Sequence, residues 1–188
     1  DRRPHKVEVT TVALDAVLGY EAIPKISPWV YLKATAKNST PFPILAGEVD
    51  VFRSSGYVGT GSLDYIAPGE EFAVSLGVDE DLKVKRVIDE RVDRAPKILS
   101  NTRTIAYGYT IELSNFKAGA QSVTLVENIP VSQRKEIKIS VREGTTKPDE
   151  KNDDGFLRWK VSLAPGEQKS VMFGYVVEAP EAFQIGGL

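Results

Sequence analysis

From Ile105 to Leu113 apolar and polar positions take turns. Ile105, Tyr107, Tyr109, Ile111 and Leu113 alternate with Ala106, Gly108, Thr110 and Glu112. A period of two sets one apolar face on a core and leaves the other face small or polar, as a half-buried strand requires. Asn115 to Gly119 supply a turn, and Val123 and Leu125 resume the apolar face. Pro130 then ends the run, because it has no N–H to give a ladder. Ile137, Ile139 and Val141, separated by Lys138 and Ser140, make a third run. The stretch Ile105 to Val141 therefore predicts three β-strands, and the rest of the chain repeats its chemistry.

Strand patterns recur at Lys6 to Leu14, Leu18 to Ile23, Val30 to Ala36, Ile44 to Phe52 and Leu63 to Ala67. They continue at Phe72 to Leu76, Leu82 to Ile88, Leu157 to Leu163 and Val171 to Val177. Pro-Gly-Glu at residues 68–70 and again at 165–167 predicts tight turns, with proline setting φ and glycine tolerating a positive one. No segment carries helical periodicity at useful length, and Asp79 to Arg94 is the one place where a short helix fits. From Asp89 to Asn101 the composition turns charged and irregular, which predicts a linker or the tip of a long hairpin. Glu143 to Gly155 loses its apolar residues and predicts a mobile hairpin loop.

An internal repeat runs through this pattern. One half passes from Ala36-Lys37-Asn38 to Ala67-Pro68-Gly69-Glu70 and then Phe72-Ala73-Val74; the other passes from Leu113-Ser114-Asn115 to Ala164-Pro165-Gly166-Glu167 and then Val171-Met172-Phe173. Two copies of strand, Asn turn, strands, Pro-Gly-Glu turn and strand suggest two similar lobes, although Pro-Gly-Glu is also a common hairpin turn. The expected fold is all-β, two tandem immunoglobulin-like β-sandwich lobes: residues 1–88, a linker or hairpin tip at 89–100, and residues 101–188.

Composition narrows the chemistry mainly by exclusion. The 188 residues carry 24 basic and 26 acidic side chains, a formal net charge of −2, so the basic excess of a nucleic-acid partner is absent. No window approaches the apolar length of a membrane span. Cysteine is absent and His5 is the single histidine, which rules out thiol catalysis, disulfides, a Ser-His-Asp site and a multi-histidine metal site within one chain. The chain begins at Asp1 without Met and reads as a processed or excised fragment.

The sharpest candidate cluster is the acidic loop Asp149, Glu150, Asn152, Asp153, Asp154 and Gly155, whose oxygens suit Ca²⁺. An EF-hand register with Gly155 at its sixth place would need a bidentate Glu where Val161 stands, so the motif fails and a solvated hairpin loop is expected. Asp79, Glu80 and Asp81 form a second acidic cluster, expected as a solvent-facing turn. Gly56, Gly59 and Gly61 resemble a phosphate cradle but no Lys or helix follows, and Ser62 lacks the glycines of a nucleophile elbow. Trp29, Trp159, Tyr107 and Tyr109 could stack on sugars, but Trp159 and both tyrosines lie on apolar faces and are expected in the core. Asn38 with Thr40 makes a glycosylation triplet, expected to go unused. No catalytic, cofactor-binding or metal-ligating residue is assigned.

A family likeness is carried by an ordered set of short matches. They are Gly47 to Phe52, Tyr57-Val58-Gly59, Ala67 to Phe72, Leu76 to Asp79, Asn115, Glu127 to Ser132, Leu157-Arg158-Trp159 and Pro165-Gly166-Glu167. From about Lys6 to Leu188 the chain resembles the C-terminal domain, of unknown function, of mucoidy inhibitor A-like proteins from bacteria and fungi. Glu127 departs from the Asp often found there. The resemblance implies an N-terminal β domain and a central coiled coil that are absent here, oligomers made possible by that coiled coil, and a periplasmic or secreted location, with a cytoplasmic one still open. It supplies no catalytic residues. The expectation is a non-enzymatic binding or scaffold module of the cell envelope that engages a protein or polysaccharide through sheet edges or loops. The alternative is an envelope polysaccharide hydrolase using paired carboxylates; a module that only positions the coiled coil is a third reading. Fold alone does not separate them.

Overall fold

A computed structural model describes residues 10–54, 56–94 and 101–182. Its elements are all strands: β1 Ala16–Ala22, β2 Trp29–Lys37, β3 Gly47–Arg53, β4 Gly56–Leu63, β5 Glu71–Arg94, β6 Thr102–Asn115, β7 Gln121–Asn128, β8 Lys138–Val141, β9 Glu150–Lys151, β10 Phe156–Leu163 and β11 Gln168–Pro180. The all-β expectation holds. Nine strands form one large sheet in the order β8-β11-β6-β5-β2-β1-β7-β10-β9, and β3 and β4 form a separate pair. The large sheet is mixed, because β1 and β7 run parallel over Tyr20–Val123 to Ala22–Leu125 while its other described pairings are antiparallel.

Several segments differ from the sequence reading. β5 is one continuous strand where two strands or a short helix were expected between Phe72 and Arg94. Leu82 and Val84 are buried while Lys83 and Lys85 face out, so the charged spacing fits a strand with one solvated face. β5 pairs with β6 from Leu82–Asn115 to Arg94–Thr104, with a bulge between Ile88 and Glu90. Asp89 to Arg94 are therefore paired strand, and residues 95–100 lie outside the described residues. Of the strand expected at Lys6 to Leu14, residues 6–9 lie outside the described residues and Thr10 to Leu14 form no strand.

The chain divides into two compact units: unit 1 is Asp1–Gly19 with Leu32–Gly77, and unit 2 is Tyr20–Tyr31 with Val78–Leu188. Unit 2 owns one well-closed core. Ile105 to Leu113 of β6, Val171 to Val177 of β11, Val123 and Leu125 of β7 and Leu157 to Leu163 of β10 bury every second residue into a single cluster. Each such large side chain contributes about 1.5–3 kcal/mol. Trp159 on β10 meets Phe173 on β11 edge to face at 6.0 Å, although these strands are far apart in sheet order, so the sheet folds over onto itself.

A strap closes one side of that fold. Arg142 N–H donates to the Gly174 carbonyl (2.9 Å) and Thr146 N–H to that of Met172 (2.8 Å), tying the segment to β11. Asp149 N–H then donates to the Arg158 carbonyl (2.8 Å), and Trp159 Nε1 donates to the Thr146 carbonyl (2.9 Å), tying it to β10. The mobile loop expected at Glu143 to Gly155 is thus a hydrogen-bonded strap. Unit 1 is thinner: among its described residues the buried apolar side chains are Leu32, Ala36 and Ile66.

Candidate functional site

The internal repeat is physical. At the end of β2, Asn38 Nδ2 donates to the carbonyls of Phe42 (3.0 Å), Ile66 (3.3 Å) and Ala67 (3.3 Å), and its Oδ1 accepts from Thr40 N–H (3.2 Å). At the end of β6, Asn115 Nδ2 donates to the carbonyls of Gly119 (3.0 Å), Leu163 (3.1 Å) and Ala164 (3.1 Å), and its Oδ1 accepts from Lys117 N–H (2.9 Å). Backbone bonds repeat as well: Asn38 N–H to the Glu70 carbonyl, Asn115 N–H to that of Glu167, Gly69 N–H to the Asn38 carbonyl, Gly166 N–H to that of Asn115. The turn carboxylates of Glu70 and Glu167 accept from Ala67 and Ala164 N–H, each at 2.7 Å. Gly69 and Gly166 have φ of 81° and 72°, a left-handed conformation that glycine adopts without steric cost. These corners are structural. Asn38 is fully buried with both amide hydrogens engaged, so the glycosylation triplet is closed in the folded chain.

The acidic candidates resolve into partners rather than into a site. Asp79, expected in a solvent-facing turn, is buried on β5; its Oδ2 accepts from Lys117 Nζ (2.7 Å) and Tyr20 hydroxyl (3.0 Å). Burial pushes the carboxyl up, but the hydrogen bonds from Lys117 and Tyr20 outweigh it and hold Asp79 below its ordinary range. The same bond to Asp79 holds Lys117 above its ordinary value. Glu80 and Asp81 are exposed, and Asp81 N–H donates to Asp79 Oδ1. In the strap and hairpin, Asp149 Oδ2 accepts from Lys160 N–H and Asn152 Oδ1 from Phe156 N–H. Among the described residues no three His, Cys, Asp or Glu side chains gather as metal ligands.

Sequence reasoning missed one pair that crosses the interior of unit 2. Arg86 Nε on β5 donates to Glu127 Oε1 on β7 at 2.8 Å, and the Glu127 side chain is completely buried. Burial pushes the Glu127 carboxyl up against the pull of Arg86, leaving it above its ordinary value. The guanidinium also stacks 3.7 Å from the centre of the Tyr109 ring. The partners are 41 residues apart, so no local spacing signals them.

The remaining candidates fall on strands. Gly56, Gly59, Gly61 and Ser62 lie on β4, which leads into no helix. Trp159, Tyr107 and Tyr109 are buried in the unit 2 core as expected. Trp29 is half exposed, with Lys83 Nζ 5.9 Å from its ring centre. Two small clefts open on unit 2. One of about 330 Å³ has Asp89, Glu143, Arg142 and Tyr109 in its wall, and Asp89 accepts from the Thr110 hydroxyl. The other, of about 360 Å³, lies between Ile129 to Ser132 and Lys151 to Asp153.

Unit 1 offers a different surface. A cleft of about 580 Å³ is lined by Val12, Leu14, Phe42, Pro43, Ile44 and Leu45, with Thr10 and Thr40 as its polar members. Leu45 is 74% exposed, and Phe52 and Tyr57 stand exposed on the β3–β4 pair with ring centres 5.3 Å apart. The alternating apolar faces of β3 and β5 in unit 1, Val49 and Val51, and Phe72, Val74 and Leu76, are half-buried, and the exposed apolar side chains lie beside them.

A family model described as a domain of unknown function, DUF4139, matches residues 2–181. Protein F37C4.5 of Caenorhabditis elegans is 25% identical over 196 residues, which cover 96% of this chain and 34% of that protein. The chain thus spans about a third of the length of this curated relative. No solved structure matches the chain. Among the described residues no helix is long and apolar enough to cross a membrane.

Proposed function

Because this chain belongs to the DUF4139 family, whose description assigns no activity, we propose from its own geometry that it is a non-enzymatic binding or scaffold module. Unit 1 is its binding face, and the partner is a protein. One observation carries this reading: in unit 1 the exposed Val12, Phe42 and Leu45 gather with Leu14, Pro43 and Ile44 in one apolar cleft, and Phe52 and Tyr57 stand exposed on the β3–β4 pair. Uncovered apolar surface of this kind marks an interaction site. The buried acids support a non-catalytic role, since Asp79 and Glu127 each sit against a cation and neither lines a described cleft.

In this reading the matched Asn38 and Asn115 corners derive from two tandem immunoglobulin-like lobes, the first of which gave up part of its core to recognition. The resemblance to mucoidy inhibitor A-like proteins supports a location in the cell envelope, periplasmic or secreted. The test is affinity capture from envelope extract with the folded chain and with a Phe42→Ser/Leu45→Ser variant, scoring proteins and polysaccharides. A protein retained by the parent chain and lost by the variant supports the reading. Polysaccharide that is captured and shortened overturns it in favour of a hydrolase, with Asp89 and Glu143 in their shared cleft as the carboxylates to replace.

A further inference from the structure

The large sheet ends in β8 on one side and in β9 on the other, and both strands belong to unit 2. β8 pairs with β11 from Lys138–Glu178 to Val141–Tyr175. Arg142 N–H donates to the Gly174 carbonyl at 2.9 Å, which fixes the phase of that ladder. In an antiparallel pair alternate residues turn both backbone groups to the partner. Lys138 and Ser140 therefore face β11, and Ile139 and Val141 point their N–H and C=O groups the other way. Ile137 shares their phase, and its N–H donates to the Arg134 carbonyl (3.2 Å). Among the described residues no strand pairs with the outer side of β8.

The cleft of about 360 Å³ opens at this edge, lined by Ile137 and Ile139 together with Ile129 to Ser132 and Lys151 to Asp153. Ile137, Ile139 and Val141 are only partly buried against the core of unit 2, and Val131 is 58% exposed. An extended chain laid along β8 would bond to Ile139 and Val141 and carry every second side chain to this apolar lining. A lipid or a glycan offers no donors and acceptors at that repeat.

β11 already shows what β8 accepts. It sets Val177 against Ile139, Tyr175 against Val141 and Glu178 against Lys138. The open side presents the same two faces, half-buried at Ile139 and Val141 and exposed at Lys138 and Ser140. Charge along the edge is basic: residues 134–142 hold Arg134, Lys135, Lys138 and Arg142 against the single acid Glu136, in a chain of net charge −2. In the cleft wall Lys151 and Asp153 offset each other. Opposite charges set across two strands stabilise the pair and like charges oppose it. A lysine on a short edge strand also deters a second copy of the same strand.

We propose that the outer edge of β8 takes up an extended peptide segment of alternating apolar and acidic residues, added as an antiparallel strand. Its apolar residues lie opposite Ile139 and Val141, and an acidic one lies opposite Lys138. This surface shares no residue with the apolar cleft of unit 1.

A blocked peptide of alternating valine and glutamate tests it, with amide exchange on the folded chain as the readout. The Ile139 and Val141 amides should exchange fast in the free chain and gain protection as peptide is added. The peptide's valines are the residues whose N–H groups face β8, so N-methylvaline in their place should abolish the protection and N-methylglutamate in place of glutamate should not. Lys138→Glu, at an exposed position, should weaken this peptide by about threefold to tenfold and favour a valine-lysine peptide by a like factor. A peptide that leaves both amides unprotected at about 1 mM overturns the proposal, as does binding that ignores which residues are methylated. Equal binding of the glutamate and lysine peptides overturns the acidic partner. Protection confined to unit 1 overturns this edge and leaves the binding-face reading standing.

Discussion

Asn38 and Asn115 occupy one position in two copies of the same hydrogen-bond pattern. In each, the side-chain amide donates to a carbonyl four residues ahead and to two carbonyls at the following Ala-Pro-Gly-Glu turn. The turn lies 28 residues on from Asn38 and 48 on from Asn115, so the second copy accommodates a longer excursion between the same fixed ends. That excursion includes the strap that ties β11 to β10.

Removing the second corner should be costly. Asn115→Ala leaves the buried carbonyl of Leu163 and the part-buried one of Ala164 without this donor, and the expected loss is about 1–3 kcal/mol by the penalty for an unsatisfied buried polar group. Asn115→Asp keeps the shape and the acceptor but removes both amide hydrogens, and should cost at least as much. Both tryptophans, Trp29 and Trp159, lie in unit 2, so a denaturant titration followed by tryptophan fluorescence reads this corner. An unchanged midpoint in Asn115→Ala would deny the corner its structural role.

Much of this was legible in the sequence. The alternation of Ile105 to Leu113 predicted β6 and its buried face, and the paired Asn and Pro-Gly-Glu signals predicted corners that are local in sequence at each end. β5 was harder, because Asp79, Glu80 and Asp81 interrupt the apolar alternation and resemble a turn. Asp79 goes inward only because Lys117 and Tyr20, 38 and 59 residues away, converge on it. Arg86 and Glu127 each read alone as a surface charge. Alternation marks which face of a strand is apolar; it carries no information on whether anything lies over that face. The exposure of Phe42, Leu45, Phe52 and Tyr57 was therefore invisible until their neighbours were placed.

Breaking the buried pair from one side should be severe. Arg86→Ala strands a carboxylate with no exposure, an expected loss of about 3–5 kcal/mol, whereas Arg86→Met with Glu127→Leu should come close to neutral. A thermodynamic cycle over the two single variants and the double variant measures the coupling directly.

The same carboxyl sets a pH dependence. Glu127 is held above its ordinary value in the folded chain, so between the unfolded value of about 4.3 and its higher folded value the folded state binds more protons. Stability therefore falls as pH rises through that window. Glu127→Gln removes this component. Unfolding midpoints of the two proteins, compared from acid to neutral pH, should diverge across the window; parallel curves would contradict the buried assignment.

Asp79 acts with the opposite sign. Its carboxyl is held below its ordinary value, so its contribution is present above the unfolded value of about 3.9 and is lost as pH falls through the folded value. Asp79→Asn should destabilise unit 2 by about 1–3 kcal/mol at neutral pH, the scale of hydrogen bonds to a charged group. The difference should shrink in strong acid. A constant difference across the whole range would place the effect in packing and not in the bond to Lys117.

The apolar face of unit 1 makes the strongest claim on function, and stability and binding should separate there. Leu45 and Phe42 are exposed, so Phe42→Ser and Leu45→Ser remove little buried contact and should change stability by no more than about 0.5 kcal/mol, as surface substitutions do. Their neighbours Val12, Leu14 and Ile44 form the cleft, which should take up an environment-sensitive apolar dye. Dye fluorescence with the folded parent chain should be high and should drop in the Phe42→Ser/Leu45→Ser variant at an unchanged unfolding midpoint. If the midpoint instead falls by several kcal/mol, these side chains belong to a core and the face is not free for a partner. If the dye binds both proteins equally, the accessible apolar surface lies elsewhere, and the β3–β4 pair with Phe52 and Tyr57 becomes the next place to substitute.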